Sequence, residues 1–528
     1  MNLQEQIQSG QASLGIELGS TRIKAILVGK NPNEVIGSGS HSWENELVDG
    51  LWSYPLEQVW EGVQSTFQDL QKNIESTHGI RIQKLSSIGI SAMMHGYLAF
   101  DQNDELLVPF RTWRNTNTQQ AADQLTELFG MNIPLRWSIA HLQQVILEES
   151  EHVSKIDFLT TLAGYVHYKL TGQKVLGIGD ASGMFPIDPA EKNYDQQMIQ
   201  KFRELSKDSH LSKDILEILP EVLLAGEDAG RLTAEGAQLL DPEGELEPGA
   251  LVCPPEGDAG TGMVVTNAIS PTTGNISVGT SVFAMVVMEK PLDEIHHEID
   301  VVATPVGDSV AMVHCNNGAS ELASWVSVFG EFAKLTGSKL STDEVYQLLL
   351  EQALEGELDA GGLLAYNYLA GEPISDVASG RPTTIRTPDS DFSLANFMRS
   401  QVFGVFGTLS MGMEVLSKEQ VKVSKMNAHG GLFKTSGVAQ QMLSAAIDAP
   451  ISVASGASEG GAWGMAILAS YAVSDHDDLS EYLRSVVFAD AESVTMAASK
   501  EEIDGYKKFL DRYKAGLSAV RKASEEVL

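Results

Sequence analysis

The alternation of apolar and polar positions near the start of the chain predicts a β-hairpin. Leu14–Leu18 and Arg22–Val28 are rich in Val, Ile and Leu, and Gly19, Ser20 and Thr21 separate them. A turn of this composition directs successive backbone N–H groups and two hydroxyl groups to one point, which suits a phosphate. An ordinary hairpin fits the same residues, and this stretch alone does not separate the two interpretations.

The same pattern returns near the middle of the chain. Thr273–Met285 consists of a strand, the turn Gly279-Thr280-Ser281 and a second strand. A tight turn needs Gly or Asn but not adjacent Ser and Thr, which favours phosphate binding at both turns. Two phosphate hairpins in one chain predict two related lobes with a nucleotide between them.

Helical patterns alternate with strand patterns along the rest of the chain. In Leu56–Ile74, apolar residues recur at the spacing of an amphipathic helix. Further helices are predicted at Gln119–Phe129, Asp157–Leu170, Ala319–Leu335, Ser341–Glu355, Leu394–Leu416 and Ser499–Val527. Strands that alternate with helices predict an α/β architecture. A strand from Leu251 enters a glycine-rich segment that ends at Met263, so the predicted domains are residues 1–263 and 264–528.

Length and charge narrow the class of protein. The chain has 528 residues, which is enough for two domains with full cores. Asp and Glu number 71 against 36 Lys and Arg, so the formal net charge is −35. The phosphates of nucleic acids and of anionic membranes would be repelled, which argues against both partners. An anionic nucleotide would need local neutralisation by Mg²⁺ and by backbone dipoles.

The cysteines and the N-terminal segment indicate a compartment. Cys253 and Cys315 are the two cysteines of this long chain, and so few suit a reducing cytosol. Met1–Ser13 is polar and has no basic or apolar region of a signal peptide. No apolar run approaches the ~20 residues that span a bilayer. We therefore expect a cytoplasmic protein.

Taken together, these motifs resemble the FGGY family of carbohydrate kinases, within the actin-like ATPase superfamily. The resemblance runs from about Leu14 to about Tyr471, and the motifs follow the order of the family. It implies two α/β lobes of the actin-like ATPase, or ribonuclease H-like, type with a catalytic cleft between them. It also implies ATP and Mg²⁺ as cofactors.

Asp258 matches the aspartate that serves as general base in this family. Transfer of a phosphoryl group to a sugar needs a carboxylate that accepts the proton of the attacking hydroxyl. In isolation, an aspartate in a glycine-rich loop more often forms an Asx-turn. The flanking motifs stand in the family's order, and they favour the catalytic interpretation.

The resemblance also assigns the phosphate and metal contacts. The first turn (Gly19, Ser20, Thr21) and the second turn (Gly279, Thr280, Ser281) would contact the β- and γ-phosphates. Glu17 and Asp258 would hold Mg²⁺ directly or through water. The family usually has Asp at the position of Glu17, and the alternative for this glutamate is a half-buried charge beside the turn.

Two segments resemble the sugar-binding side of the family. Met94 and His95 belong to the first, and Trp113, Arg114 and Asn115 form the second. A sugar pocket needs an apolar face and several fixed polar groups, which these side chains can supply. Both segments depart from the family pattern, so the sugar stays open, and each residue alone also fits a core or loop position.

A later loop resembles the adenosine site of the family. Gly430, Gly431 and Phe433 match its Gly-Gly loop, where bare glycines let a base or ribose lie against the backbone. Glu459–Gly464 resembles a late glycine-rich signature, which is typical of close packing between a helix and a backbone.

The expected function is ATP-dependent phosphorylation of a terminal hydroxyl on a small-molecule sugar. The resemblance favours a ketopentose, with xylulose first and ribulose second, and another ketose or a polyol is an alternative. An alternative of another class is a nucleotide-binding regulatory protein without sugar transfer, which the departures at Glu17 and Asn115 keep open. Many related kinases are dimers, so a homodimer is allowed, although the chain shows no interface pattern.

Overall fold

The structure is a computed structural model that describes residues 2–435, 437–454 and 460–527. The chain forms two units. The first comprises Met1–Ile269, Val301–Val310 and Ala457–Asp490, and the second comprises Ser270–Asp300, Ala311–Gly456 and Ala491–Leu528. The first unit thus includes two late segments that the predicted contiguous bounds, 1–263 and 264–528, assigned to the second lobe. The functions predicted for the two lobes stay predictions.

A six-stranded sheet organises the first unit. Its strand order is Leu251–Val252, Ser87–Ala92, Ser13–Leu18, Arg22–Val28 and Val35–Ser42, with Glu256–Gly257 also paired to Ser87–Ala92. The predicted hairpin of Leu14–Val28 is confirmed, because Ser13–Leu18 and Arg22–Val28 pair in antiparallel register. Ser13–Leu18, Leu251–Val252 and Glu256–Gly257 all run parallel to Ser87–Ala92.

Helices cover both faces of this sheet. Along Arg22–Val28, the side chains of Ile23, Ala25 and Leu27 join the large core that includes helix Leu56–His78. Ile26 and Val28 alternate with them, and they pack instead against Ala462 and Ala466 of helix Gly461–Tyr471. This packing explains why a late helix belongs to the first unit.

Shorter elements complete the first unit. Its other α-helices are Leu3–Gln8, Gln119–Phe129, Ser138–Leu147, Leu162–Thr171, Ile178–Ala181, Gln196–Ser206, Ile215–Ile218, Ala234–Leu240, Asp258–Val265 and Leu479–Tyr482. Glu151–Lys155 is a 3₁₀-helix, and Leu483–Val487 is a π-helix. Its two-stranded pairs are Glu46–Val48 with Leu51–Ser53, Leu98–Phe100 with Phe158–Thr160, Val175–Gly177 with Glu221–Leu223, and Ile187–Asp188 with Asn193–Tyr194.

The predicted helix Asp157–Leu170 is wrong in its first part. Phe158–Thr160 forms a strand that pairs with Leu98–Phe100, and the helix begins only at Leu162. Thr161 accepts the N–H of Gly164 and so caps the new start. A pairing partner distant in the sequence thus overrides the local helical pattern.

Most of a seven-stranded sheet lies in the second unit, and residues 301–303 and 309–310 of its first two strands belong to the first unit. Its order is Ile299–Ala303, Ser309–Cys315, Val282–Val287, Thr273–Val278, Lys425–Gly430, Ile451–Ala454 and Ser493–Met496. The second predicted hairpin is confirmed by the antiparallel register of Thr273–Val278 with Val282–Val287. Thr273–Val278 runs parallel to Lys425–Gly430.

The long helices of the second unit agree with the predicted periodicity. They are Ser320–Leu335, Thr342–Leu354, Leu394–Lys418, Val438–Ile447 and Lys500–Glu526. Its 3₁₀-helices are Ala360–Gly362, Pro373–Ser375 and Gly431–Lys434, and Leu364–Tyr366 pairs with Thr383–Ile385. Across the described residues, no helix combines the length and the apolar character needed to cross a membrane.

Candidate active site

The predicted site residues of the first unit meet at one edge of its sheet. Leu18 pairs with Ala92, and Ala92 pairs with Gly257. Each of these residues ends its strand, and the predicted site residues follow directly after them. The carboxyl ends of parallel strands are a common place for ligands in α/β sheets.

Asp258 is the first residue of helix Asp258–Val265 and not part of a free turn. Gly257 occupies the N-cap position, and a carboxylate in the first turn is favoured by the helix dipole. The backbone N–H of Met94 donates to Asp258 Oδ1 at 3.3 Å. The side chain is accessible to solvent, yet the protein packed around it raises the pKa of Asp258. An accessible carboxylate with a raised pKa is a suitable proton acceptor.

Glu17 lies at the N-terminus of helix Gly461–Tyr471. Its carboxylate accepts the backbone N–H groups of Gly461 and Ala462, which lower its pKa together with Lys24. Burial and the negative charge of Asp258 act in the opposite direction, and the net result is a raised pKa for Glu17. Two carboxylates that repel each other offer the oxygen ligands that Mg²⁺ prefers, so these residues fit the predicted metal.

Aromatic side chains fix the carbonyl groups of the first turn. Trp43 Nε1–H donates to Gly19 O at 2.7 Å, and the Tyr54 hydroxyl donates to Ser20 O at 2.6 Å. The backbone N–H of Trp43 donates to Thr21 O at 3.2 Å. Among the described residues, the N–H groups of Ser20 and Thr21 have no acceptor. The turn therefore presents amide donors, as a phosphate site requires.

On the predicted sugar side, His95 is a neutral, buried residue. Burial lowers its pKa well below the ordinary value, and its Nδ1 lies 3.3 Å from Gly183 O. Its φ of +70° is rare outside glycine, and the ring stacks on Trp137 with centroids 6.3 Å apart. Backbone strain held in place by packing is typical of functional sites.

The second sugar-side segment connects to other parts of the unit. Trp113 Nε1–H donates to Ser20 Oγ of the first turn at 3.4 Å. The guanidinium carbon of Arg114 lies 4.0 Å from the ring centre of Trp52. Asn115 is buried and exchanges hydrogen bonds of 2.8 and 2.9 Å with the backbone of Trp52. Its side chain thus braces the segment, and a sugar contact by Asn115 stays a prediction.

The sequence patterns missed two buried carboxylates beside Asp258. Glu256 accepts the backbone N–H groups of Gly179 and Asp180 at 3.3 and 3.0 Å. Asp180 Oδ2 accepts the hydroxyl of Thr161 at 2.6 Å. The contact between positions 180 and 256 joins distant parts of the chain, so no local spacing indicates it.

The second turn, in the other unit, has the same arrangement as the first. The backbone N–H of Ala319 donates to Gly279 O at 2.8 Å, and that of Gly318 donates to Thr280 O at 2.7 Å. The N–H of Gly279 itself donates to Ser281 O at 2.9 Å. The carbonyl groups of this turn are therefore also held by the protein.

We expect Gly318→Ala to weaken nucleotide binding. A Cβ at this position would collide with Gly279 O and lie 2.9 Å from Ser281 O, so the turn must shift. The KM for ATP should rise about tenfold, on the order of one lost hydrogen bond to a charged group. Steady-state kinetics would check this result. Gly330→Ala, whose Cβ would lie 4.0 Å from Val345, is the matched control, and an equal rise there would contradict the assignment.

The predicted adenosine loop lies next to this turn within the second unit. Gly430 pairs with Val278, the last residue before the turn. Gly430 has a φ of +118°, and a Cβ there would collide with Val278 O, so only glycine fits. Gly431 is exposed with open space around it, whereas Phe433 is buried beneath the loop. Glu459 of the late signature lies outside the described residues.

Comparison with known proteins identifies the family to which this site belongs. A model described as the N-terminal domain of the FGGY family of carbohydrate kinases matches residues 12–243, and the corresponding C-terminal domain matches residues 274–473. The chain belongs to the FGGY family of carbohydrate kinases. It is therefore a sugar kinase.

Individual relatives of this FGGY kinase agree with that conclusion. It is 23% identical to a xylulose kinase of Haemophilus influenzae over 437 residues, which cover 80% of this chain and 83% of the relative. A ligand-bound xylulose kinase from Lactobacillus acidophilus superposes with a TM-score of 0.76 at 20% identity, covering 97% and 98% of the chains. A gluconate kinase from the same organism gives 0.77 at 19% identity, covering 98% and 99%. The predicted two-domain, actin-like ATPase fold is confirmed.

We expect the buried carboxyls of Asp180 and Glu256 to lower the stability of this FGGY kinase as the pH rises. Burial raises the pKa of Asp180 to about 7 and that of Glu256 to about 8. Both carboxyls titrate near ~4 when unfolded, so between about pH 4 and 8 the folded state binds more protons. The contribution of these two carboxyls to the free energy of unfolding then decreases with pH across that window. Calorimetry at several pH values measures it as a difference between variants: Asp180→Asn should remove part of this decrease, whereas Asp188→Asn, at a surface turn, should not. Equal pH dependence in all three proteins would contradict the expectation.

Proposed function

We propose that this sugar kinase transfers the γ-phosphoryl group of Mg²⁺-ATP to a terminal hydroxyl of a ketopentose, with xylulose before ribulose. The observation that carries the proposal is Asp258, an accessible carboxylate of raised pKa at the carboxyl edge of the first sheet. The names of the relatives support a pentulose, since the H. influenzae relative is a xylulose kinase. Ribulose, other ketoses, gluconate and polyols are the competing acceptors.

In this proposal, Asp258 accepts the proton of the attacking hydroxyl. The N–H of Met94 fixes Oδ1, which orients the carboxylate while its accessible surface faces the acceptor. The protein packed around Asp258 raises its pKa, which makes the carboxylate a stronger base. Positioning of the reacting groups supplies most of the remaining acceleration in phosphoryl transfer.

The proposal assigns the nucleotide phosphates to backbone amides of the two turns. These residues are Gly19, Ser20 and Thr21 in the first turn and Gly279, Thr280 and Ser281 in the second. Gly430 and Gly431 receive the adenosine beside the second turn. Glu17 and Asp258 would hold Mg²⁺. When bound, this ion would supply positive charge, which the chain lacks because its formal net charge is −35.

A panel of acceptors tests the proposal. ADP release is measured with Mg²⁺-ATP and xylulose, ribulose, a hexulose, gluconate, glycerol or no acceptor. We expect a ketopentose, xylulose above all, to stimulate release far beyond the rate without acceptor. Stimulation by gluconate or glycerol alone would replace the proposed substrate. Nucleotide binding without stimulation by any acceptor would support a regulatory protein instead.

A further inference from the structure

Glu256 ties a second segment to the short strand Glu256–Gly257, which leads into Asp258. Its carboxylate accepts the N–H groups of Gly179 and Asp180, at the start of the short helix Ile178–Ala181. Side chains at Gly177 or Gly179 would collide with this carboxylate, so glycine is required at both positions. The backbone at position 180 is thus fixed relative to Glu256, two residues before the proposed base.

Among the described residues, only one of the two carboxylate oxygens of Asp180 has a hydrogen-bond partner. The residue is 1% exposed, and its Oδ2 accepts the hydroxyl of Thr161 at 2.6 Å. Its Oδ1 has no hydrogen-bond partner among the described residues. The hydroxyl of Tyr194 is also buried and has no hydrogen-bond partner in the part of the chain that the structure describes. Burial raises its pKa, and the charge of Asp180 raises it further. A buried, unpaired carboxylate oxygen in a native structure requires a ligand or another explanation.

This oxygen lies beside the predicted sugar residues. A Cβ on Gly257 would be 3.2 Å from Asp180 Oδ1, and it would collide with the side chain of Met94. The Met94 side chain and Asp180 Oδ1 thus both lie next to Gly257. Methionine is unbranched and adapts its conformation readily, so the Met94 side chain can move to admit a ligand without a backbone change.

We propose that Asp180 Oδ1 accepts a hydrogen bond from a sugar hydroxyl other than the one that is phosphorylated. The inference rests on the proposed function and assigns Asp180 as a residue that determines which sugar is accepted. Glu256 is its positioning residue, because it fixes the backbone of Asp180 beside Gly257. A sugar that lacks this hydroxyl would leave the carboxylate unpaired, and sites of this kind reject such analogues strongly.

The test compares Asp180 variants on deoxy analogues of the sugar that the acceptor panel identifies. For the full sugar, Asp180→Ala should lower kcat/KM by about 10²-fold or more. One monodeoxy analogue should be slow with the unmodified enzyme and no slower with Asp180→Ala, because both changes remove the same hydrogen bond. Asp180→Asn keeps an acceptor oxygen, so it should lose less than Asp180→Ala and serves if the alanine variant does not fold.

Asp241→Asn is the matched control. Asp241 is buried in the same unit, but its oxygens accept three backbone N–H groups, from Glu243, Glu245 and Leu246. The Asp241→Asn variant should lose stability, but its activity should show no new preference among the deoxy analogues. Suppose that the unmodified enzyme is active on the full sugar. If Asp180→Ala then loses the same factor in kcat/KM on every analogue, or loses none, this inference alone is overturned. No response of the unmodified enzyme to any sugar would overturn the proposed function and this inference with it.

Discussion

Asp258→Asn should lower kcat by about 10²–10⁴-fold, the range that is typical for the loss of a general base. The amide keeps the size of the side chain and can still accept the N–H of Met94, but it cannot take up a proton. Sugar and nucleotide should therefore bind nearly as before, so the loss should appear in kcat and not in KM. Steady-state kinetics with calorimetric binding of ATP separates the two effects.

Asp195→Asn is the appropriate control for this variant. Asp195 also lies at a helix N-terminus of the first unit, where it accepts the N–H groups of Gln197 and Met198. It is the N-cap of helix Gln196–Ser206, a position where Asn replaces Asp at little cost, so the variant should leave kcat unchanged. Full activity of Asp258→Asn, or an equal loss of kcat in both variants, would remove Asp258 from the mechanism.

Glu17→Gln should raise the Mg²⁺ concentration needed for half-maximal activity by about 10–100-fold, the usual cost of disturbing a ligand or its supporting shell. The carboxylates of Glu17 and Asp258 repel each other, and a bound cation removes that repulsion. Replacing one carboxylate by an amide removes this repulsion, and with it the advantage that the cation gains from relieving it, while keeping an oxygen ligand. A Mg²⁺ titration of activity at saturating ATP and sugar measures the shift.

Glu217→Gln provides the matched control for Glu17. The Glu217 side chain also accepts a backbone N–H at a helix N-terminus of the first unit, that of Asp214. Its replacement should leave the Mg²⁺ requirement unchanged. An unchanged requirement in Glu17→Gln would mean that Glu17 is a structural charge that caps helix Gly461–Tyr471.

The sequence predicted the parts of the site that depend on local patterns. The two hairpins follow from alternating residues around Gly-Thr/Ser turns, and their observed registers confirm both. Asp258 could be singled out because the motifs around it resemble those of the family and stand in the same order. Its position as the first residue of a helix was not predicted, because the same glycines are typical of a turn.

The contacts that complete the site depend on residues far apart in the sequence. Asp180 and Glu256 are 76 positions apart, and the carboxylate of Glu17 caps a helix that begins near residue 461. No periodicity within either segment signals such a pairing, because the fold alone brings them together. The hydrogen bonds between the Asn115 amide and the backbone of Trp52 are another contact of this kind, and a sugar contact by Asn115 stays a prediction.

Identification of the product tests the central claim most directly. The enzyme is incubated with Mg²⁺-ATP and xylulose, and the product is examined by phosphorus–proton correlation NMR. We predict one sugar phosphate, esterified at a terminal carbon, formed in equal amount with ADP and nearly absent with Asp258→Asn. Inorganic phosphate as the main product, or a phosphate on an internal carbon, would contradict the account.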